Sequence, residues 1–296
     1  MSSVVTCEQH GRVRVIALNR PANRNTLSAE VWSALTAALE AATDDSETSV
    51  IVLRGEGKGF CAGIELDNSY VDGGSLWADR ERLRRTYAHL DAVFDCPLPV
   101  VAAVHGFALG GGADLALHCD FLVAADDAVL GHPAVRNVGV APTNMWFYRL
   151  GPQLAKRLLL TGDRISGAEA ARIGLALFSC PATELLSAAM DLARRIALVD
   201  RACLMGNKAV INRGLDLMGR RALNGAAQVE DAIAHQLAAG EFMTQVASVG
   251  VRQAVKARDA PFGADPAMIS GAGAHAGRSP SASAWSNDPD GAARER

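Results

Sequence analysis

Two short stretches hold most of the residues that can do chemistry. The first runs from Val100 to Asp120, VVAAVHGFALGGGADLALHCD. Its opening run, Val100 to Val104, is apolar and β-branched and reads as a buried strand. Gly110, Gly111 and Gly112 follow, and apolar positions resume at helical spacing with Leu115 and Ala116. A strand that turns through glycines into a helix leaves the first N–H groups of that helix without intrahelical partners. The helix dipole adds positive potential at the same end. The chemistry implied is main-chain stabilisation of an anion, with glycine permitting close approach. Asp114 stands in the first turn and sets one carboxylate beside that site; complementing the dipole is the other role open to such an Asp. Two phosphate-binding fingerprints are excluded. Leu115 stands where G-x-G-x-x-G needs glycine, and no Lys-Ser or Lys-Thr follows the glycines. The second stretch, Phe60 to Leu66 (FCAGIEL), also follows a strand through a glycine-rich turn, Gly55 to Gly59. No G-x-S-x-G nucleophile elbow is present.

The elements that must position these turns are legible in order. Val4–Cys7 and Val13–Leu18 read as strands around a turn at His10, Gly11 and Arg12. Ser28 caps a helix running to about Ala42, with Glu30 in its first turn. Ser49–Leu53 is a strand, and a charged helix spans about Leu76 to Phe94. Two further strands, Asp120–Ala124 and Ala128–Gly131, lead to a loop beginning His132-Pro133. From Thr143 the chain is mostly helical, with one strand-like interval at Ala176–Ser179 and long helices at Thr183–Leu198, Arg201–Leu215 and Arg221–Ala239. Strands alternating with helices in the first half, then helices alone, predict an α/β core with a helical appendage. From Gly263 the composition shifts to Gly, Ala, Ser, Pro and Asp, which predicts a disordered tail over 263–296.

Composition narrows the function classes. The chain has 296 residues and a normal apolar share, enough to bury a sizeable core. A net charge of −3 points away from nucleic acid and anionic membranes. Pro97, Pro99, the glycines and Asp114 speak against reading the apolar central stretch as a membrane span. The six cysteines include no C-x-x-C pair, which argues against zinc and against a disulfide framework. Scattered single thiols and the absence of a signal-peptide pattern at the N-terminus lead to the expectation of a cytoplasmic protein.

Four motifs in order, LNRP at Leu18–Pro21, FCAGIEL, GFALGGGADL at Gly106–Leu115 and LLLTGDRISGAEAARIGL at Leu158–Leu175, resemble the crotonase (enoyl-CoA hydratase/isomerase) superfamily. The resemblance runs from about residue 4 to 262. It implies a crotonase-like ββα spiral core over 1–198 and a C-terminal α-helical trimerisation region over 199–262. It also implies an acyl-CoA thioester substrate, no cofactor other than the coenzyme A of that substrate, and assembly as a homotrimer or hexamer. In that family two backbone N–H groups stabilise an enolate oxyanion; by position they are those of Ile64 and Gly111, with Gly63 and Gly110 framing them. Such donors, fixed in advance, are worth about 3–4 kcal/mol each. Arg24 and the backbone near Ala62 are expected along the CoA moiety.

The sequence departs from the family pattern at the acid/base residues. Hydratases of the family use two glutamates. The first falls at Asp114, one methylene shorter, as in a dienoyl-CoA isomerase branch. The second, from the family's Q-P-E, falls at Ala134 in His132-Pro133-Ala134, and alanine cannot transfer a proton. Losing one member of such a pair costs about 10²–10⁴-fold. The reading is therefore an enoyl-CoA hydratase-like lyase with a non-standard acid/base set. The alternatives are an isomerase or hydrolase using Asp114 alone, or a CoA-thioester binding protein without turnover. His132 is the nearest candidate for a second proton-transfer group, against a loop histidine bonded to backbone. Arg136 can meet Asp114 or a substrate carboxylate, or lie at the surface. Tyr70, Trp77, Trp146 and Tyr148 are candidates for an acyl pocket, against plain packing. His118, four residues after Asp114, can orient it.

Overall fold

The computed structural model describes residues 3–66, 75–141 and 143–263, together with Ala267 and Ile269. Tyr70 and nearly all of the expected tail fall outside the described residues.

A main sheet forms around the apolar runs. β1 (Val5–His10) pairs antiparallel with β2 (Val13–Leu18), through the turn in which Gly11 has φ +60°. β3 (Val50–Gly55), β4 (Val100–Val104), β6 (Phe121–Ala125) and β9 (Phe178–Cys180) then add in parallel, in the order β1-β2-β3-β4-β6-β9. All five residues of β4 are buried, as its unbroken Val/Ala run requires of a central parallel strand. A second, three-stranded sheet joins β5 (Phe107–Leu109), β7 (Val129–Gly131) and β8 (Arg164–Ser166). β5 and β8 are too short to show a period, and sequence reading passed them over.

Helices cover the sheets. α1 (Ala29–Asp44) begins at Ser28, whose hydroxyl accepts from Val31 N–H at 3.3 Å. α2 (Leu76–Asp95) packs against α1 and against α3 (Gly111–His118), the helix that opens at the glycine turn. α4 (Met145–Thr161) is continuous except at Gly151, whose φ of +72° breaks it before Pro152. α5 (Gly167–Arg172) and α6 (Leu185–Ile196) pack on the main sheet.

Beyond α6 only helices follow: α7 (Arg201–Leu217), α8 (Arg220–Ala234), a π-helical turn over His235–Ala239, α9 (Gly240–Val249) and α10 (Val251–Asp259). α8 packs along α2, which ties this helical region to the core. A single large core joins the main sheet to α1–α6. A small satellite cluster sets Val138, Phe242, Met243 and Ala254 together, with Leu66 and Ala134 packed against it. Among the described residues no helix is long and apolar enough to cross a membrane, and no cluster of His, Cys, Asp and Glu is arranged to hold a metal ion.

Candidate active site

The two glycine turns are brought together by backbone hydrogen bonds. Cys61 N–H donates to Phe107 O at 3.0 Å, and Leu109 N–H donates to Cys61 O at 3.0 Å. On the other side, Leu27 N–H donates to Gly63 O at 2.9 Å, and Ala62 N–H donates to Arg24 O at 3.0 Å. Gly110 N–H reaches Gly131 O at 2.9 Å, locking the second turn to β7. FCAGIEL is thus held like a strand between the Leu27 segment and β5. Its cysteine faces the core, and burial pushes the Cys61 thiol up to about 12.

At the contact an added methyl group would crowd the facing turn. A methyl group on Gly112 would lie 2.4 Å from Cys61 O. On Gly63, whose φ is +111°, it would lie 2.9 Å from Leu109 O and 3.5 Å from Gly111 N. On Gly111 it would lie 2.7 Å from Cγ1 of Ile64 and 3.4 Å from Ile64 N. Each amide therefore borders the space beside the other turn's glycine. Gly111 opens α3, so its N–H has no intrahelical acceptor. Neither the Ile64 nor the Gly111 N–H donates to another group among the described residues. Two main-chain donors without internal partners, set beside each other at one contact, are groups of the kind that can bind an oxygen carrying negative charge.

Asp114 lies one turn along α3 and is fully buried. Its Oδ1 accepts from Trp146 Nε1 at 3.0 Å and from Thr143 Oγ1 at 3.4 Å. Its Oδ2 lies 3.1 Å from His132 Nε2. His132 is therefore bound to the carboxylate. Burial disfavours its charged form, but the charge and hydrogen bond of Asp114, with the charge of Asp231, together outweigh burial and lift His132 above the ordinary imidazole range. His132 Nδ1 is buried without a hydrogen-bond partner among the described residues. His118 does not touch the carboxylate: its Nδ1 donates to the Asp114 carbonyl oxygen at 2.7 Å, and burial pushes its pKa down. The far end of α3 is held by Arg149, which donates to the carbonyls of Leu117 and Cys119, a cation at a helix C-terminus.

Ala134 sits in a 3₁₀ turn, Pro133–Arg136, half-buried against the cluster of Leu66, Phe242 and Met243. Behind it lies a chain of ionisable groups. Asp231 accepts from Val140 N–H at 2.8 Å and lies 3.3 Å from His235 Nε2, and His235 Nδ1 lies 2.8 Å from Asp79. Burial pushes Asp231 up to about 6, against the opposing pull of His235. Nothing in the local sequence marks this chain, because its members come from α2, α8 and the π-helical turn.

Several expectations need correction. Arg136 reaches neither Asp114 nor the oxyanion turns. It donates to Thr161 O at 3.0 Å and Asp259 at 2.9 Å, and it stacks on Phe262. Its guanidinium ties the 3₁₀ turn to the C-terminal helix. Trp146 is fully buried as a donor to Asp114, so it supports the site from behind rather than lining an acyl pocket. Trp77 is exposed, and Tyr148 donates to Met218 O at 3.1 Å. Arg24 is exposed in the left-handed conformation at φ +54°, and its carbonyl holds Ala62, which keeps it beside the FCAGIEL turn. A cavity of about 460 Å³ lies at the opposite end of α3 from Asp114, lined in part by Phe94, Cys119, Met145, Ile211 and Leu215. It contains neither amide nor Asp114, so the chemistry is located by the turns rather than by this cavity.

Known proteins resemble this chain in sequence and fold. A model of the enoyl-CoA hydratase/isomerase family matches residues 8–246. A probable enoyl-CoA hydratase of Rhizobium meliloti is 37% identical, covering 71% of this chain and 81% of that protein. The crotonyl-CoA hydratase of Syntrophomonas wolfei is 33% identical, covering 74% and 85%. Among solved structures, an enoyl-CoA hydratase from Mycobacterium smegmatis superposes with a TM-score of 0.84 at 34% identity, covering 89% of this chain and 96% of that one.

Proposed function

We propose, for a chain that belongs to the enoyl-CoA hydratase/isomerase family, the addition of water across the double bond of a 2-enoyl-CoA thioester. The membership carries the enzyme class; the acid/base set and the oxyanion donors are our own reading. The observation that supports it most is the pair of amides, Ile64 and Gly111, set beside each other where the two glycine turns touch. The thioester oxygen accepts both N–H groups. As the nucleophile adds at C3, charge moves to that oxygen, where the donors are already oriented. Asp114, one turn beyond Gly111, supplies the carboxylate of the acid/base set. Its partners Trp146, Thr143 and His132 keep it pointed into the site. Arg24 and the backbone of Ala62 lie along the CoA moiety, which enters beside the left-handed loop. Ala134 packs among Leu66, Phe242 and Met243, so the acyl chain meets an apolar wall where related hydratases hold a second glutamate.

The test is turnover of a panel of 2-enoyl-CoA thioesters, read as loss of the conjugated thioester absorbance. The Asp114→Asn variant should lose about 10²–10⁴-fold in kcat while still binding thioester. Unchanged turnover in that variant removes Asp114 from the mechanism.

A further inference from the structure

We propose that His132, held by Asp114, is the proton-transferring residue of this site, and that its Nδ1 takes a proton from water and returns it to the acyl chain. The inference rests on the acyl-CoA reading above and deepens it: one imidazole does the work that two carboxylates share in related hydratases.

Three observations carry it. The first is the tautomer. Nε2 lies 3.1 Å from Oδ2 of Asp114, and an ionised carboxylate only accepts, so Nε2 carries the hydrogen. Nδ1 of the neutral ring is then a lone pair. It is buried and has no partner among the described residues. A buried, unpartnered nitrogen destabilises the fold, a cost that a bound water or substrate would remove. The second is the state of Asp114. Three donors already occupy its two oxygens, and the residue is fully buried. A carboxylate so enclosed serves to orient an imidazole and to stabilise the imidazolium, the division of labour known from acid–histidine dyads. The third is Ala134. Its methyl group faces an apolar cluster, so no carboxylate at that position takes or gives the second proton.

The step balances without another reactant. Water oxygen bonds to C3 while its proton passes to Nδ1. The C2–C3 π electrons move toward the thioester oxygen, which becomes an enolate held by the two amides. The enolate then re-forms the carbonyl as C2 takes the proton from Nδ1. H and OH have been added, and His132 is neutral again.

The charged groups around His132 set its titration. Asp114 from α3 and Asp231 from α8 both favour the imidazolium, against burial. Asp231 is itself paired with His235 of the π-helical turn, and His235 with Asp79 of α2, which Arg82 also binds. His118 donates to the Asp114 carbonyl oxygen, and burial pushes its pKa down. Because the neutral ring acts as base, kcat/KM should rise with pH through a midpoint above the ordinary imidazole value of about 6.5.

The decisive variant is His132→Gln. A glutamine amide can keep the bond to Asp114 but has nothing that titrates. We expect an unchanged thermal midpoint, thioester affinity within about threefold, a fall in kcat of about 10²–10⁴-fold and loss of the rising pH limb. His132→Ala, if folded, should recover part of its rate when imidazole is added. A His132→Gln enzyme with kcat within about threefold of the parent and the same pH limb overturns the proposal, as does a folded His132→Ala enzyme that imidazole does not rescue. These outcomes differ from failure of the acyl-CoA reading, in which the unaltered protein turns over no enoyl-CoA at all.

Discussion

Gly111 and Gly112 are neighbours, yet substituting each with alanine should have opposite consequences. At Gly111 the new methyl group would stand 2.7 Å from Ile64 Cγ1, 3.3 Å from its Cδ1 and 3.4 Å from its backbone N. Ordinary carbon contacts lie at about 3.5–4.0 Å, so the Ile64 side chain must move by about 1 Å. A side chain can do that, and φ at Gly111 is not in the left-handed region. Alanine also gains up to about 1 kcal/mol over glycine within a helix, which offsets part of the crowding. The fold should survive. The methyl group would nevertheless stand beside the Ile64 amide, where we propose that the oxyanion binds. Losing one such donor costs about 3–4 kcal/mol, or about 10²–10³-fold in kcat. At Gly112 the methyl group would stand 2.4 Å from Cys61 O and 2.8 Å from Cys61 Cβ. That carbonyl is fixed by Leu109 N–H at 3.0 Å and cannot withdraw without breaking the pairing of the two turns. The cost is overpacking of about 1–3 kcal/mol or more, read as a lower thermal midpoint. The assays are kcat at saturating enoyl-CoA and thermal unfolding by circular dichroism. A Gly111→Ala enzyme with kcat within about threefold of the parent would refute the oxyanion assignment. A Gly112→Ala protein as stable as the parent would refute the packing that joins the turns.

Further outcomes follow from the surrounding charges. Asp231, which burial pushes up to about 6, binds a proton more readily when folded than when unfolded. Its contribution to stability is thus fully present below about pH 4 and is lost as pH rises through about 6, a change of about 3 kcal/mol. Asp231→Asn keeps an acceptor for Val140 N–H but does not titrate, so the parent should lose stability relative to the variant as pH rises through that window; a pH-independent difference in urea unfolding would contradict this. Arg136→Ala should lower stability by about 1–3 kcal/mol, because it releases Thr161 O and Asp259. It should leave KM for enoyl-CoA unchanged, and a raised KM would return Arg136 to the substrate.

Local pattern carried much of the molecule. The apolar runs at Val13–Leu18 and Val100–Val104, and the Ser28 cap, predict elements that the structure contains at nearly the same bounds. β5 and β8 escaped because three residues show no period, and their pairing depends on partners far away in sequence. The π-helical turn at His235 has no local signature; its histidine meets Asp79, 156 residues away.

What the sequence determined by itself is the chemistry on offer. Two glycine turns after strands, an Asp in a first helical turn and an alanine in place of a second carboxylate are all facts of local composition. Tertiary structure decided which groups serve that chemistry. It turned His132 and Trp146 onto Asp114, drew Arg136 away to Asp259 and set Ala134 against α9. The reason is physical. Backbone donors follow from the conformation of a few adjacent residues, whereas the partner of a buried charge is chosen by whichever distant elements pack around it.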